Sequence, residues 1–190
     1  MSLNYTILQK IIYITLLQSR YYINVNGELI LGIWMDYRIP GSLKTEHEEL
    51  YEQLNRAARI GGKVGAAAML AFKAFQPHIR KEEEIAFPPL DLLPSLASKD
   101  ATTELTGIIK LSDRLKDELP GFIYQHDEMR KALQQMNDEA MKEQKHEYAA
   151  LAKRLMRHML LEEQILYPAA ILSGEYIKLC LYGPPAKISR

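Results

Sequence analysis

Downstream of residue 42 apolar residues recur at helical spacing over most of the chain, and each run predicts a helix with one buried stripe. Leu43, His47, Leu50, Leu54 and Ala57 line the first. Ser42 or Thr45 would cap it, Glu46, Glu48 and Glu49 suit its positive N-terminal dipole, and Gly61-Gly62 would end it. A second helix is predicted from about Val64 to Pro88-Pro89, with Ala67, Leu70, Ala71, Ala74, His78, Glu82 and Ile85 inward, Phe75 at the border and a bend at Pro77. Leu90 to Asp100 reads as a connection around Pro94. Thr102 to Leu119 is amphipathic through Leu105, Ile108, Ile109, Leu111 and Leu115, and Pro120-Gly121 interrupts it. Ile123, His126, Met129, Leu133 and Met136 follow on one face, so one kinked helix and two separate helices are both open. The last long helix is predicted from Asn137 or Asp138, with Leu151, Leu155, His158, Glu162 and Ile165 inward, a bend at Pro168 and Gly174 as C-cap.

The ends are less regular. Asn26-Gly27, between Tyr21-Tyr22-Ile23-Asn24-Val25 and Leu29-Ile30-Leu31, suits a hairpin. The apolar run Ile11 to Leu17 is too short to span a bilayer, and it lacks the basic flank and small-residue cleavage site of a secretory signal. The expected organisation is an irregular N-terminal extension over residues 1–41, a bundle over 42–174, and a tail over 175–190 that is either a helix turn or an edge strand. Met35 is an alternative start that would place the preceding residues outside the native chain.

The sequence has 190 residues, the size of one ordinary domain with a real core, and its 24 basic residues balance 24 acidic ones. That balance argues against nucleic acid or an anionic membrane as partner. Cys180, the single cysteine, leaves no internal disulfide and no thiolate metal site, which suits a reducing, cytoplasmic compartment.

One pattern occurs twice. His78-Ile79-Arg80-Lys81-Glu82-Glu83-Glu84-Ile85-Ala86-Phe87-Pro88 and His158-Met159-Leu160-Leu161-Glu162-Glu163-Gln164-Ile165-Leu166-Tyr167-Pro168 both read H-x-x-x-E-E-x-I-x-aromatic-P. His47 and His126 fall into the same register, so each half offers one lone histidine and then one His-x-x-x-Glu. Residues four apart share a helical face, so His78 with Glu82, and His158 with Glu162, can present a nitrogen and an oxygen to one point. Four such helices in a bundle would surround one central site. Four imidazoles and two carboxylates suit iron, manganese or zinc better than calcium, magnesium or copper(I). Two carboxylates able to bridge make a dinuclear centre natural, and iron leads because a mixed nitrogen and oxygen shell with open positions suits exchange of small ligands. The bland alternative is a set of buried His-Glu hydrogen bonds without metal, which would need extensive polar satisfaction.

Over about residues 42–173 the chain resembles the hemerythrin-like, or HHE cation-binding, family. The resemblance implies an up-down four-helix bundle, all-α, with a non-haem di-iron site ligated at His47, His78, Glu82, His126, His158 and Glu162. Oxygen-carrying hemerythrins add a fifth histidine beside the third-helix ligand and end in His-x-x-x-x-Asp, whereas Phe122 and Arg130 flank His126 here and Glu162 closes the last motif. The chain is therefore more similar to the four-His, two-Glu branch, which includes iron-sulfur-cluster repair proteins and iron or oxygen sensors. The repair proteins' extra domain with paired cysteines has no counterpart in a sequence with one cysteine. The expected function is binding of, or reaction with, oxygen, nitric oxide or peroxide in sensing, iron handling or stress response. The alternative is a metal-dependent interaction or regulatory module without catalysis. Turnover and oligomeric state stay open.

Several neighbours carry lesser readings. His146, in a charged run, reads as solvated although Glu143-x-x-His146 matches an element of ferritin-like sites; Glu83 and Glu163 face solvent or back the ligands. Phe87 and Tyr167 read as packing residues, with a tyrosine hydrogen bond beside a metal as the alternative, and Met129, Met136, Met156 and Met159 as core filling.

Overall fold

The computed structural model describes residues 21–23, 29–31, 38–98 and 105–183. The chain divides into two units, Met1–Tyr37 and Arg38–Arg190. In the first, β1 (Tyr21–Ile23) and β2 (Leu29–Leu31) pair antiparallel, with Tyr21 opposite Leu31 and Ile23 opposite Leu29, a register one residue off that of a two-residue turn at Asn26-Gly27, which would set Ile23 opposite Ile30. The apolar run Ile11 to Leu17, Met35 and residues 184–190 of the tail lie outside the described residues.

The described part of the second unit is helical. Its elements are α1 (Gly41–Ala58), α2 (Gly62–Lys81), a π-helical turn (Glu82–Ala86), α3 (Pro88–Asp91), α4 (Leu93–Ser98), α5 (Leu105–Lys142), α6 (His146–Leu161), a second π-helical turn (Glu162–Leu166) and α7 (Tyr167–Tyr182). α5 is the spine, packed against α2, α6 and α7, while α1 packs against α2. The up-down bundle thus consists of α1, α2, the C-terminal part of α5, and α6.

Its interior has three layers. At one end Leu50, Leu54, Ala71, Phe75, Met129, Leu133, Met136, Leu151, Leu155 and Met159 form an apolar core. At the other Ile85, Phe87, Leu90, Leu115, Phe122 and Tyr167 form a second. Between them lies a buried polar layer, and the order along α5 (Leu115 and Phe122, then His126, then Met129 and Leu133) crosses all three.

Several sequence expectations need correction. α1 starts at Gly41, where the Pro40 carbonyl takes the Leu43 and Lys44 N–H groups at 3.0 and 3.2 Å, so Ser42 and Thr45 lie inside the helix and neither caps it. Leu70 is 58% exposed, because the α2 stripe runs through Ala67, Ala71, Phe75 and His78. The connection after Pro88 contains α3 and α4. Pro120-Gly121 does not interrupt α5: both residues are exposed, and Leu115 and Phe122, rather than Ile123, anchor the helix on either side. The α5–α6 boundary falls at residues 143–145 instead of Asn137 or Asp138. There Gln144 adopts a left-handed φ of 57°, Lys145 N–H bonds the Ala140 carbonyl at 2.8 Å and Gln144 N–H bonds that of Met141 at 3.2 Å, a Schellman stop built without glycine. Gly174 lies inside α7, which continues through Tyr182 and ends at Gly183 with φ 79°. A Cβ on Gly174 would sit 2.3 Å from Ser112 Cβ, so this glycine is what lets α7 lie against α5.

Candidate metal centre

Four helices supply the polar layer. His47 comes from the first turns of α1, His78 from the end of α2, His126 from the middle of α5 and His158 from the end of α6; Glu82 and Glu162 open the two π-helical turns. All six are buried, His158 the least at 4% exposure.

The π-turns explain why each motif ends in an aromatic residue. In an unbroken α-helix the residue five beyond the glutamate would point about 140° away from it. Here Phe87 N–H bonds the Glu82 carbonyl at 2.9 Å, five residues back, and the wider turn returns Phe87 and Tyr167 to the ligand face, both fully buried. In the second turn Ile165 is 56% exposed, against expectation, while its twin Ile85 in the first is fully buried.

The histidines pair across the two halves. His47 stands against His158, ring centroids 5.2 Å apart, and His78 against His126, 4.5 Å apart. Both carboxylates reach both pairs. Glu162 places one oxygen 2.8 Å from His158 Nε2 and 3.5 Å from His47 Nε2, and its other oxygen 3.4 Å from His126 Nε2. Glu82 places Oε1 3.2 Å from His78 Nε2 and Oε2 3.5 Å from His47 Nε2. Two donor groups result, His78, Glu82, His126 and Glu162 in one and His47, His158 and Glu162 in the other, with Glu162 common to both.

The outer nitrogens have partners of their own. His47 Nδ1 faces Glu83 at 3.1 Å, His126 Nδ1 faces Glu163 at 2.7 Å, His78 Nδ1 faces Gln125 Oε1 at 2.8 Å and His158 Nδ1 faces Glu46 at 3.6 Å. Glu83 and Glu163 therefore back the rings rather than face solvent. Glu46 and Gln125 were missed from the sequence, although each precedes a lone histidine at the same place in the repeat.

This donor set fits a cation. Nδ1–H of His78 and of His126 each donates to an oxygen, which leaves both Nε2 atoms as lone pairs, yet these face each other at 2.7 Å. Only a proton or a metal ion between them relieves that repulsion. Glu82 Oε2 and both ring nitrogens of His158 are buried without a well-aligned hydrogen-bond partner, a loss of solvation that coordination would offset. A model of the hemerythrin HHE cation binding domain matches residues 39–170. The chain belongs to this family. No curated protein and no solved structure matches the chain.

The electrostatics of this HHE domain without metal favour protons in the same place. Burial opposes charging His47, but its bonds to Glu162 and Glu83 and the charges of Glu82 and Glu162 outweigh that and push it up to about 9. His78 is likewise raised, against burial, chiefly by Glu82. Burial would raise the Glu162 carboxyl, yet the imidazoles of His126, His158 and His47 hold it well below its ordinary value. Burial, then the charge of Glu82, pushes the Tyr167 phenol far above its usual range, so its hydroxyl donates, to Glu82 Oε1, and lies 3.3 Å from His126 Nε2. Phe87 occupies the twin position without a hydroxyl, 4.9 Å from the His47 ring. His146 opens α6 on the surface, away from this layer.

Proposed function

We propose that this HHE domain holds a dinuclear non-haem metal centre, iron first with manganese or zinc as alternatives, and that the centre binds or reacts with oxygen, nitric oxide or peroxide. His47 and His158 would hold one ion, His78 and His126 the other, with Glu82 and Glu162 spanning both. The observation that carries this reading is the crossed pairing of four histidines through two carboxylates that each reach both pairs. Neutral imidazole and carboxylate donors suit iron that exchanges small ligands, and such a centre supplies redox chemistry when bound. The chain's own residues would fix the rings through Glu83, Gln125, Glu163 and Glu46, exclude bulk water and keep a phenol proton at Tyr167. Burial of all six donors suits a diatomic molecule or peroxide better than a larger substrate. The lone cysteine, exposed and free, supports a reducing, cytoplasmic setting.

A second reading, a metal-dependent interaction module, has its own support. The outer side of α7 leaves Leu172 and Tyr182 largely exposed, and an apolar depression of about 410 Å³ lies beside it between Leu93, Leu96, Leu172 and Tyr176. Turnover separates the two. Anaerobically iron-loaded protein is mixed with oxygen, nitric oxide or hydrogen peroxide, and consumption is followed against time. Continued consumption supports an enzyme, a single stoichiometric uptake supports a sensor or store, and no reaction with any of the three defeats the small-molecule reading.

A further inference from the structure

The two halves repeat their inner donors but not what stands behind them, and three of these outer differences, at Gln125, Arg130 and Tyr167, act in one direction. Behind the His47 and His158 pair stand two carboxylates, Glu83 at 3.1 Å and Glu46 at 3.6 Å. Behind His78 stands Gln125, a neutral amide, at 2.8 Å. Behind His126 stands Glu163, but the same Glu163 oxygen is also bound by the Arg130 guanidinium, which neutralises it. Arg130 lies four residues after His126, where the other half has Tyr51 four after His47. The Tyr167 hydroxyl in addition donates to Glu82 Oε1, the oxygen that faces His78, and the twin residue Phe87 makes no such bond.

A carboxylate behind a ring N–H makes the other ring nitrogen a stronger donor; an amide does so less, and a cation on that carboxylate cancels part of the gain. A hydrogen bond donated to a ligand carboxylate withdraws charge from it. Gln125, Arg130 and Tyr167 thus each weaken the donors of the His78 and His126 pair, while Glu83 bonds His47 and the Glu46 carboxylate stands 3.6 Å from His158 Nδ1, close enough to act by its charge though not as a hydrogen-bond acceptor. Glu162 is common to both donor groups, whereas Glu82 falls in the His78 and His126 group alone, so the outer partners act against a donor count of four there and three at His47 and His158.

Resting on the dinuclear reading above, we propose that the two metal positions are unequal. The position at His47 and His158 is the tighter and fills first, and the position at His78 and His126 is the weaker, with Gln125, Arg130 and Tyr167 as the positioning residues that set the difference. Partners of this kind change metal affinity about 10- to 100-fold.

The test is an anaerobic titration of the full-length, metal-free protein with ⁵⁷Fe(II), read by the stepwise binding constants and by Mössbauer spectra at one and at two equivalents. The wild type should show two steps at least about tenfold apart, with one quadrupole doublet at the first equivalent and a second, distinct doublet after the next. Gln125→Glu, which puts a carboxylate behind His78, should draw the steps together, and Glu46→Gln, which puts an amide behind His158, should weaken the first step. Both positions are partly exposed, so each substitution leaves the core intact. Two equal steps with a single doublet, or a Gln125→Glu variant with unchanged spacing, would overturn the inequality while leaving a dinuclear site standing. Failure of all three proteins to bind iron would instead overturn the dinuclear reading, and the inequality with it.

Discussion

The two halves of the bundle share an inner pattern and then part. After the first motif the chain breaks at Phe87, Pro88 and Pro89 into α3 and α4; after the second it runs through Tyr167 and Pro168 into the sixteen residues of α7. The donors are alike in type and place, but the residues around them are not: Gln125 stands against Glu46, Arg130 against Tyr51 and Tyr167 against Phe87. The crossed pairing explains this division. Each histidine pair draws one member from each half, so a changed donor in either half would damage a shared site. Glu46, Glu83 and Gln125 each stand behind a single ring, so a change in one of them alters one donor and leaves the shared layer in place.

The largest test of that comparison sets Glu162→Ala against Glu82→Ala. Glu162 faces His47, His126 and His158, whereas Glu82 faces His47 and His78. Bound metal, counted by plasma mass spectrometry, is expected to fall in both variants and further in Glu162→Ala, with affinity losses beyond the about 10- to 100-fold of an outer partner. Full metal content in both would break the assignment of the carboxylates.

Gly174→Ala strikes the second half alone. The added methyl meets Ser112, whose hydroxyl donates to the Ala170 carbonyl at 2.9 Å, so α7 must move off α5. A loss of about 1–3 kcal/mol in urea unfolding is expected. An unchanged midpoint would mean that the close approach is not required.

Much of this was legible in the sequence and some was not, for identifiable reasons. The six donors share a buried layer because the repeat places them at one helical phase, and the inward stripe of α1 follows from spacing alone. The crossed pairing was not legible, since a repeat shows that two halves are equivalent but not which members meet. Ile165 was misplaced because spacing gives twin positions one environment: Ile85, in the first π-turn, packs in the core with Leu90, whereas Ile165, at the same place in the second, is exposed. The α5–α6 boundary was missed because Gln144 supplies the left-handed residue where a glycine would have been readable. Pro120 misled in the opposite sense, because packing on both sides of it overrides a local break.

A pH series on metal-free protein probes the first half. His47 is raised from 6.5 to about 9 and His78 is raised too, so each stabilising charge is complete below the unfolded value of 6.5 and is lost above it, that of His47 as pH climbs to about 9. The melting temperature of the metal-free form should therefore fall across that window, while metal affinity rises as protons leave the same nitrogens. A flat profile for both quantities would contradict the proton-or-metal account. The smallest effect is at the turn between α5 and α6: Gln144→Gly relieves a left-handed residue and should raise the unfolding free energy by up to about 1 kcal/mol. A loss there would show that Gln144 contributes something beyond its backbone.

Metal content tests the central claim most directly. Protein reconstituted anaerobically with ferrous iron, freed of excess metal and assayed by plasma mass spectrometry alongside its visible spectrum after air, should hold about two irons per chain, as a bundle with two crossed histidine pairs requires. Protein that retains no iron, manganese or zinc after reconstitution would contradict the account, and would mean that the lone pairs of His78 and His126 are bridged by a proton alone.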